Sequence, residues 1–183
     1  MLLKEFGKVK VGDIIMKKSA VFSPDRKYRY VLWRNWGTPR GFFELPLSGY
    51  AMFIGLNPST ADEFLDDPTV RRCIRYAHDW GYAGLCMVNL FAFRATKPKD
   101  MKAVVYPIGT DNDKYLVELS KNAGIIIAAW GTNGDYRQRD EQVVKKLPKL
   151  HCLKLTKEGF PAHPLWLPKG LKPFSFSIRR RQK

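Results

Sequence analysis

Apolar residues in this chain fall into short runs that first pair with one another and then alternate with amphipathic stretches. "SAVFSPDRKYRYVLWRNWG" (19–37) holds two apolar and aromatic runs on either side of Ser23-Pro24-Asp25, which predicts an antiparallel hairpin. "YAMFIGL" (50–56) reads as a short buried strand. Asp66-Asp67-Pro68 then offers a cap with proline in the first turn, and Val70, Cys73, Ile74, Ala77 and Trp80 recur at helical spacing. Together they predict a helix over 68–80. Further along, strands are expected at 85–91, 125–130 and 150–155, and helices at 111–122 and 135–147. Strand and helix alternating through short connections predict an α/β fold. The expected form is a three-layer sandwich with a central, mainly parallel four-stranded sheet, plus an N-terminal antiparallel hairpin. One domain over 1–183 would include a β-rich extension (1–49) and a basic tail (178–183).

Composition narrows the partners. The longest apolar run, "GIIIAAW" (124–130), is too short to span a bilayer, and "MLLKEFGKVKVGD" lacks a signal-peptide core. The expectation is a cytoplasmic protein with no membrane partner. Cys73, Cys86 and Cys152 form no C-x-x-C pair and read as buried small residues; no metal site and no cofactor motif is expected. Charge adds more: 32 Lys and Arg oppose 17 Asp and Glu, a formal +15 that favours a polyanionic partner, DNA first. No obligate protein partner is implied.

In parallel α/β sheets ligands bind beyond the carboxyl ends of the strands. The segments there are "NPSTAD" (57–62), "AFRATKP" (92–98), "GTNGD" (131–135) and "TKEGFPAHPLW" (156–166). Gly55 permits close backbone approach, Asn57 supplies a fixed amide and Pro58 stiffens the exit; an Asx turn explains the same residues. Asn89 ends an apolar strand, and its amide matches a pyrimidine edge or ties neighbouring backbone together. His163 could donate to a developing anion or be a surface histidine. Leu165 and Trp166 read as an apolar wedge or as caps on the core. Arg94, Lys97, Lys99, Lys157 and Lys169 could track a phosphate backbone.

In order along the chain, "GLNPS", "MVNLFAFRATKP", "IIIAAWG" and "AHPLWLP" resemble the landmarks of the uracil-DNA glycosylase superfamily over roughly 50–170. The resemblance is closest to its mismatch-specific Gly-x-Asn-Pro branch. It implies that Asn57 positions the attacking water, Asn89 reads the base edge, and His163 stabilises the departing base before a wedge at Leu165-Trp166. Two departures stand out. Asn57 occupies the place where the most active uracil enzymes carry Asp, so Asp62 becomes the candidate carboxylate. His163-Pro164-Leu165-Trp166 replaces His-Pro-Ser-Pro. The aromatic that stacks on the base has three candidates, Phe64, Phe91 and Phe93. The chain is also similar to small bacterial and phage proteins sharing "NPSTAD…DDPT…WGY".

The implied activity is a DNA glycosylase that flips a modified or damaged pyrimidine and leaves an abasic site, in repair or against hypermodified phage DNA. A non-catalytic reader of flipped or single-stranded bases is the alternative.

Overall fold

A computed structural model describes residues 7–11, 14–37 and 49–178. Residues 179–183 of the basic tail, and residues 1–6, 12–13 and 38–48 of the N-terminal extension, lie outside the described residues. The architecture is α/β, built on one mixed sheet of eight strands. In chain order these are β1 (Gly7–Val11), β2 (Ile14–Phe22), β3 (Arg29–Asn35), β4 (Tyr50–Gly55), β5 (Gly84–Asn89), β6 (Ile125–Ala128), β7 (Leu150–Cys152) and β8 (Phe174–Phe176). Their spatial order is β1-β2-β3-β5-β4-β6-β7-β8. Strands β5, β4, β6 and β7 pair in parallel, and β1–β3 and β8 join antiparallel on the two sides.

The expectation of a four-stranded sheet with a separate hairpin therefore needs correcting. The hairpin forms, but β3 pairs along β5 from Leu32↔Met87 to Asn35↔Gly84 and extends the same sheet. The reason lies in its side chains. Tyr30 and Val31 are buried in one layer and Leu32 in the other, so β3 has two apolar faces to cover and behaves as an interior strand.

Helix α1 (Pro68–Asp79) starts where the sequence predicts. Asp67 Oδ1 accepts from Val70 N at 2.8 Å, and Gly81 follows the helix in a left-handed conformation. Its apolar stripe of Val70, Cys73, Tyr76 and Ala77 packs on Ala51, Phe53, Leu85 and Met87. The opposite face is covered by α2 (Pro98–Lys102), α3 (Asn112–Ser120) and α4 (Arg139–Lys146) through Met101, Leu116 and Val143. Alternation along β4 and β5 divides the two cores: Met52, Ile54, Cys86 and Val88 face α2–α4. All three cysteines are free and buried. Among the described residues no helix is long and apolar enough to cross a membrane.

The helix expected over 135–147 starts later than its pattern suggests. Thr132–Gln138 forms a 3-10 segment in which Arg137 and Gln138 both take left-handed conformations. Two consecutive residues there break the α-helical path, so α4 begins at Arg139.

Candidate functional site

Parallel pairing puts the carboxyl ends of β4, β5 and β6, and the start of α1, at one end of the sheet. Because β3 runs antiparallel to β5, its first residue arrives at the same rim, where Arg29 N donates to Ala92 O at 2.9 Å. Gly55 and Asn89 are register partners on adjacent strands. A β-carbon on Gly55 would lie 2.8 Å from Asn89 Oδ1, so the glycine creates the space that this amide occupies. Asn89 is 3% exposed, and its Nδ2 has no hydrogen-bond partner among the described residues. Tying the neighbouring backbone is thus not its role. Asn112 does that, donating from Nδ2 to both Asn89 O and Leu90 O at 3.0 Å, and Arg139 Nε adds a bond to Leu90 O at 2.9 Å. The strand end is fixed from beneath, and the Asn89 donor is left over.

Asn57 is held the other way round. Its Nδ2 donates to Pro58 O at 3.1 Å and Ala95 O at 2.7 Å, which fixes the amide orientation. No described group donates to its Oδ1, which leaves that oxygen to accept from a water or a ligand.

Asp62 Oδ1 accepts from the N–H groups of Phe64 and Leu65, each at 2.8 Å. Burial raises its pKa, but those bonds and the guanidinium groups of Arg94 and Arg26 outweigh it and hold the carboxyl below its ordinary range. Asp62 is therefore a weaker base than a water-activating carboxylate needs to be.

His163 caps the 3-10 turn Pro164–Trp166, which packs on α1. Its loop is pinned at both flanks. Gly131 N donates to Pro161 O at 2.9 Å and Ala162 N to Lys154 O at 2.8 Å. His163 Nδ1 is buried without a partner. Burial lowers the imidazole pKa and the Asp67 carboxylate partly opposes this, leaving it below 6.5. The sign follows from linkage. Between the folded and unfolded pKa values the unfolded state binds more protons, so this group's contribution to stability is full above 6.5 and is lost as pH falls through the folded pKa. A proton–nitrogen NMR titration is expected to place the His163 midpoint below 6.5; a midpoint above it would mean a charged, solvated imidazole.

The other expected contacts divide. Leu165 lines a cleft of about 640 Å³ along the outer flank of α1, beside Pro68, Arg71, Arg72 and Lys169. Trp166 is 82% exposed, which overturns its reading as a core cap; buried Leu153 and Leu167 fill that layer instead. Phe64 is 66% exposed on the 62–67 loop and packs on no other aromatic ring among the described residues. Phe91 is fully buried on the α2–α4 face, 5.7 Å from the Tyr136 ring, so the structure does not bring it to Asn89. Phe93 stands edge-on to Tyr28. Arg94, with its Cζ 5.0 Å from the Phe22 ring centroid, sits at the rim. Lys97 leads into α2, and Lys157 and Lys169 are exposed on either side of the His163 loop.

Ion pairs fasten the 62–67 loop to the sheet. Arg34, whose side chain is 0% exposed, donates to Asp66 at 2.6 Å, and Lys18 donates to the same carboxylate at 2.9 Å. Arg26 makes a two-pronged pair with Glu63. The sequence reading missed Arg29, Arg34, Asn112 and Arg139. A charged residue inside an aromatic strand, as in "RYVLWR", was the available signal for the first two. Among the described residues, no three His, Cys, Asp or Glu side chains gather to hold a metal.

A family model described as "Protein of unknown function (DUF1643)" matches residues 29–165. That span runs from the first residue of β3 through the His163 loop. No curated protein and no solved structure matches the chain.

Proposed function

We propose that this chain, which belongs to the DUF1643 family, is a DNA glycosylase that flips a modified or damaged pyrimidine nucleotide onto the carboxyl ends of the strands and hydrolyses its N-glycosidic bond. The observation that carries this reading is the Asn89 amide, buried with an unpartnered Nδ2 at the end of a rigidly tied strand. A lone buried donor costs about 1–3 kcal/mol and is retained where a ligand supplies the acceptor. On this reading the parallel strands β5, β4, β6 and β7 form the glycosylase-like core, and the antiparallel strands are additions to it.

The chemistry divides among the rim residues. The bond between the sugar C1′ and the base nitrogen breaks, its electron pair leaving with the base. The sugar passes through an oxocarbenium-like state, and water oxygen adds to C1′. One proton of that water ends on the released base and the other remains as the sugar hydroxyl. Asn57 Oδ1 accepts from the attacking water, Asn89 holds the base edge, and His163, neutral near pH 7, donates to the carbonyl on which charge grows. Asp62 stays ionised and acts as a fixed negative charge near the cationic sugar. Exposed Trp166 enters the vacated stack, while Arg94, Lys97, Lys157 and Lys169 track phosphates.

A second reading, a non-catalytic reader of flipped or single-stranded bases, is favoured by one observation: the Asp62 carboxylate is spent on its own turn. An abasic-site assay separates the two. The protein is incubated with DNAs carrying uracil, mismatched thymine, or hydroxymethylated or glucosylated cytosine, then treated with alkali. Strand breaks on one substrate are expected, falling roughly 10²–10³-fold in His163→Ala with DNA affinity unchanged. No breaks on any substrate, with salt-sensitive binding intact, would favour the reader.

A further inference from the structure

Arg29 is 2% exposed, yet its guanidinium makes a single side-chain hydrogen bond, from Nη1 to Ala61 O at 2.6 Å. Its Nε is buried without a partner, and among the described residues no carboxylate lies within ion-pair distance. The two carboxylates whose charges act on it are committed elsewhere: Asp62 to the N–H groups of Phe64 and Leu65, Asp67 to Val70 N. Taking a charge out of water without a counter-ion is among the most costly arrangements a fold can hold.

A second guanidinium, that of Arg94, is close enough for its charge to act on Arg29. Tyr28 and Phe93 form an antiparallel bridge flanked by bonds from Arg29 N to Ala92 O and from Arg94 N to Lys27 O, each at 2.9 Å. Residues on either side of such a pair point to the opposite face, so Arg29 and Arg94 are diagonal neighbours on one side of the ribbon. Arg94 Nε is also buried and unpartnered, and its Nη1 reaches only Arg26 O at 3.2 Å. Burial and the Arg94 charge together push the Arg29 pKa down to about 10, even with Asp67 and Asp62 acting against them. Two like charges, both with spare donors, lie on one face of this ribbon, Arg29 reaching Ala61 O in the Asn57 loop and Arg94 reaching Arg26 O.

We infer that Arg29 and Arg94 form a phosphate-binding site, and that the residues at the strand ends take their base as a nucleotide whose phosphate these two guanidinium groups clamp. The anion site stands on its own geometry; the identity of the base rests on the proposed function. Planar forks of donors match phosphate oxygens in pairs, which an ammonium group cannot do.

The test uses the full chain at constant ionic strength, with chloride as the reference anion. Inorganic phosphate is expected to raise the melting temperature where chloride does not, and thymidine 5′-monophosphate to bind at least roughly tenfold more tightly than thymidine. Arg94→Gln is expected to lose that preference. Arg29→Lys keeps the charge but not the fork, and is expected to weaken phosphate roughly tenfold. A phosphate effect no larger than that of chloride would overturn the inference, as would wild-type phosphate binding in both variants. Comparison of the monoester with a thymidine dinucleotide, whose phosphate is a diester, tells a free nucleotide from a strand. Abasic-site formation measured alongside keeps the two ideas apart. Base release without phosphate preference removes the clamp alone, and phosphate binding through these arginines without base release removes the glycosylase alone.

Discussion

Replacing Asp66 with alanine is expected to cost about 3–5 kcal/mol of folding stability, which is unusually large for a loop residue. One carboxylate compensates two buried cations. Asp66 Oδ1 accepts from Arg34 Nε at 2.6 Å and Oδ2 from Lys18 Nζ at 2.9 Å, with both cationic side chains under 10% exposed. Arg34 also donates to Trp33 O, Asp62 O and Leu65 O, and Lys18 to Phe64 O. The unpaired cations would therefore drag the whole 62–67 loop with them. Urea unfolding of Asp66→Ala beside Asp66→Asn measures the loss. The amide should recover part of it, since it keeps one acceptor but no charge. A loss below about 1 kcal/mol in the alanine variant would mean that water reaches both cations and the pairing contributes little.

The second large effect is expected at Asn89, in activity and not in stability. Asn89→Ala should lower kcat/KM for base release roughly 10²-fold, the discrimination typical of a two-bond contact to a base edge. Unfolding free energy should change by less than about 1 kcal/mol, because the substitution removes a donor that the unliganded protein leaves unsatisfied. Asn112→Ala provides the contrast. Its Nδ2 bonds both Asn89 O and Leu90 O, so its loss should cost stability as well as turnover. Single-turnover base release and urea melts on the two variants test the pair. If Asn89→Ala melts several kcal/mol early yet releases base at the normal rate, the amide is structural and the base is held elsewhere.

Local patterns carried the central strands and α1 because their signals are local. The "YAMFIGL" run became Tyr50–Gly55, and the Asp67-Pro68 start with its helical stripe became Pro68–Asp79. The docking of β3 onto β5 was not legible, since a two-sided apolar strand can pair with any neighbour that covers both faces. Strand β8, only Phe174–Phe176, is too short to show a period and exists because Leu150–Cys152 offers it an edge. At the site, the order of Asn57, Asn89 and His163 could be read; Asn57 follows β4, Asn89 ends β5, and His163 sits in a loop bonded at Pro161 O to Gly131 beyond β6. What each amide bonds could not be read. Asn57 spends its donors while Asn89 keeps one, and that difference lies in contacts with Ala95 and Gly55 far along the chain or across the sheet. Phe91 misled for a related reason. Beyond the end of β5 the alternation between the two buried layers lapses, and Leu90, Phe91 and Ala92 all fall in the layer that faces α2–α4. Trp166 could be read only as two alternatives, wedge or cap, because apolar character alone does not distinguish a core side chain from one held out in water.

Strand order also sets a timetable for synthesis. During translation β1, β2 and β3 leave the ribosome first, but the partner that covers the far edge of β3 is β5, which follows about fifty residues later. At roughly 5–20 residues per second the hairpin waits several seconds with that edge bare. The nascent segment is most exposed to mispairing in that interval. Its tight Ser23–Tyr28 turn, closed by Ser23 N to Tyr28 O at 3.0 Å and Arg26 N to Ser23 O at 2.9 Å, helps to hold the two strands together until β5 arrives.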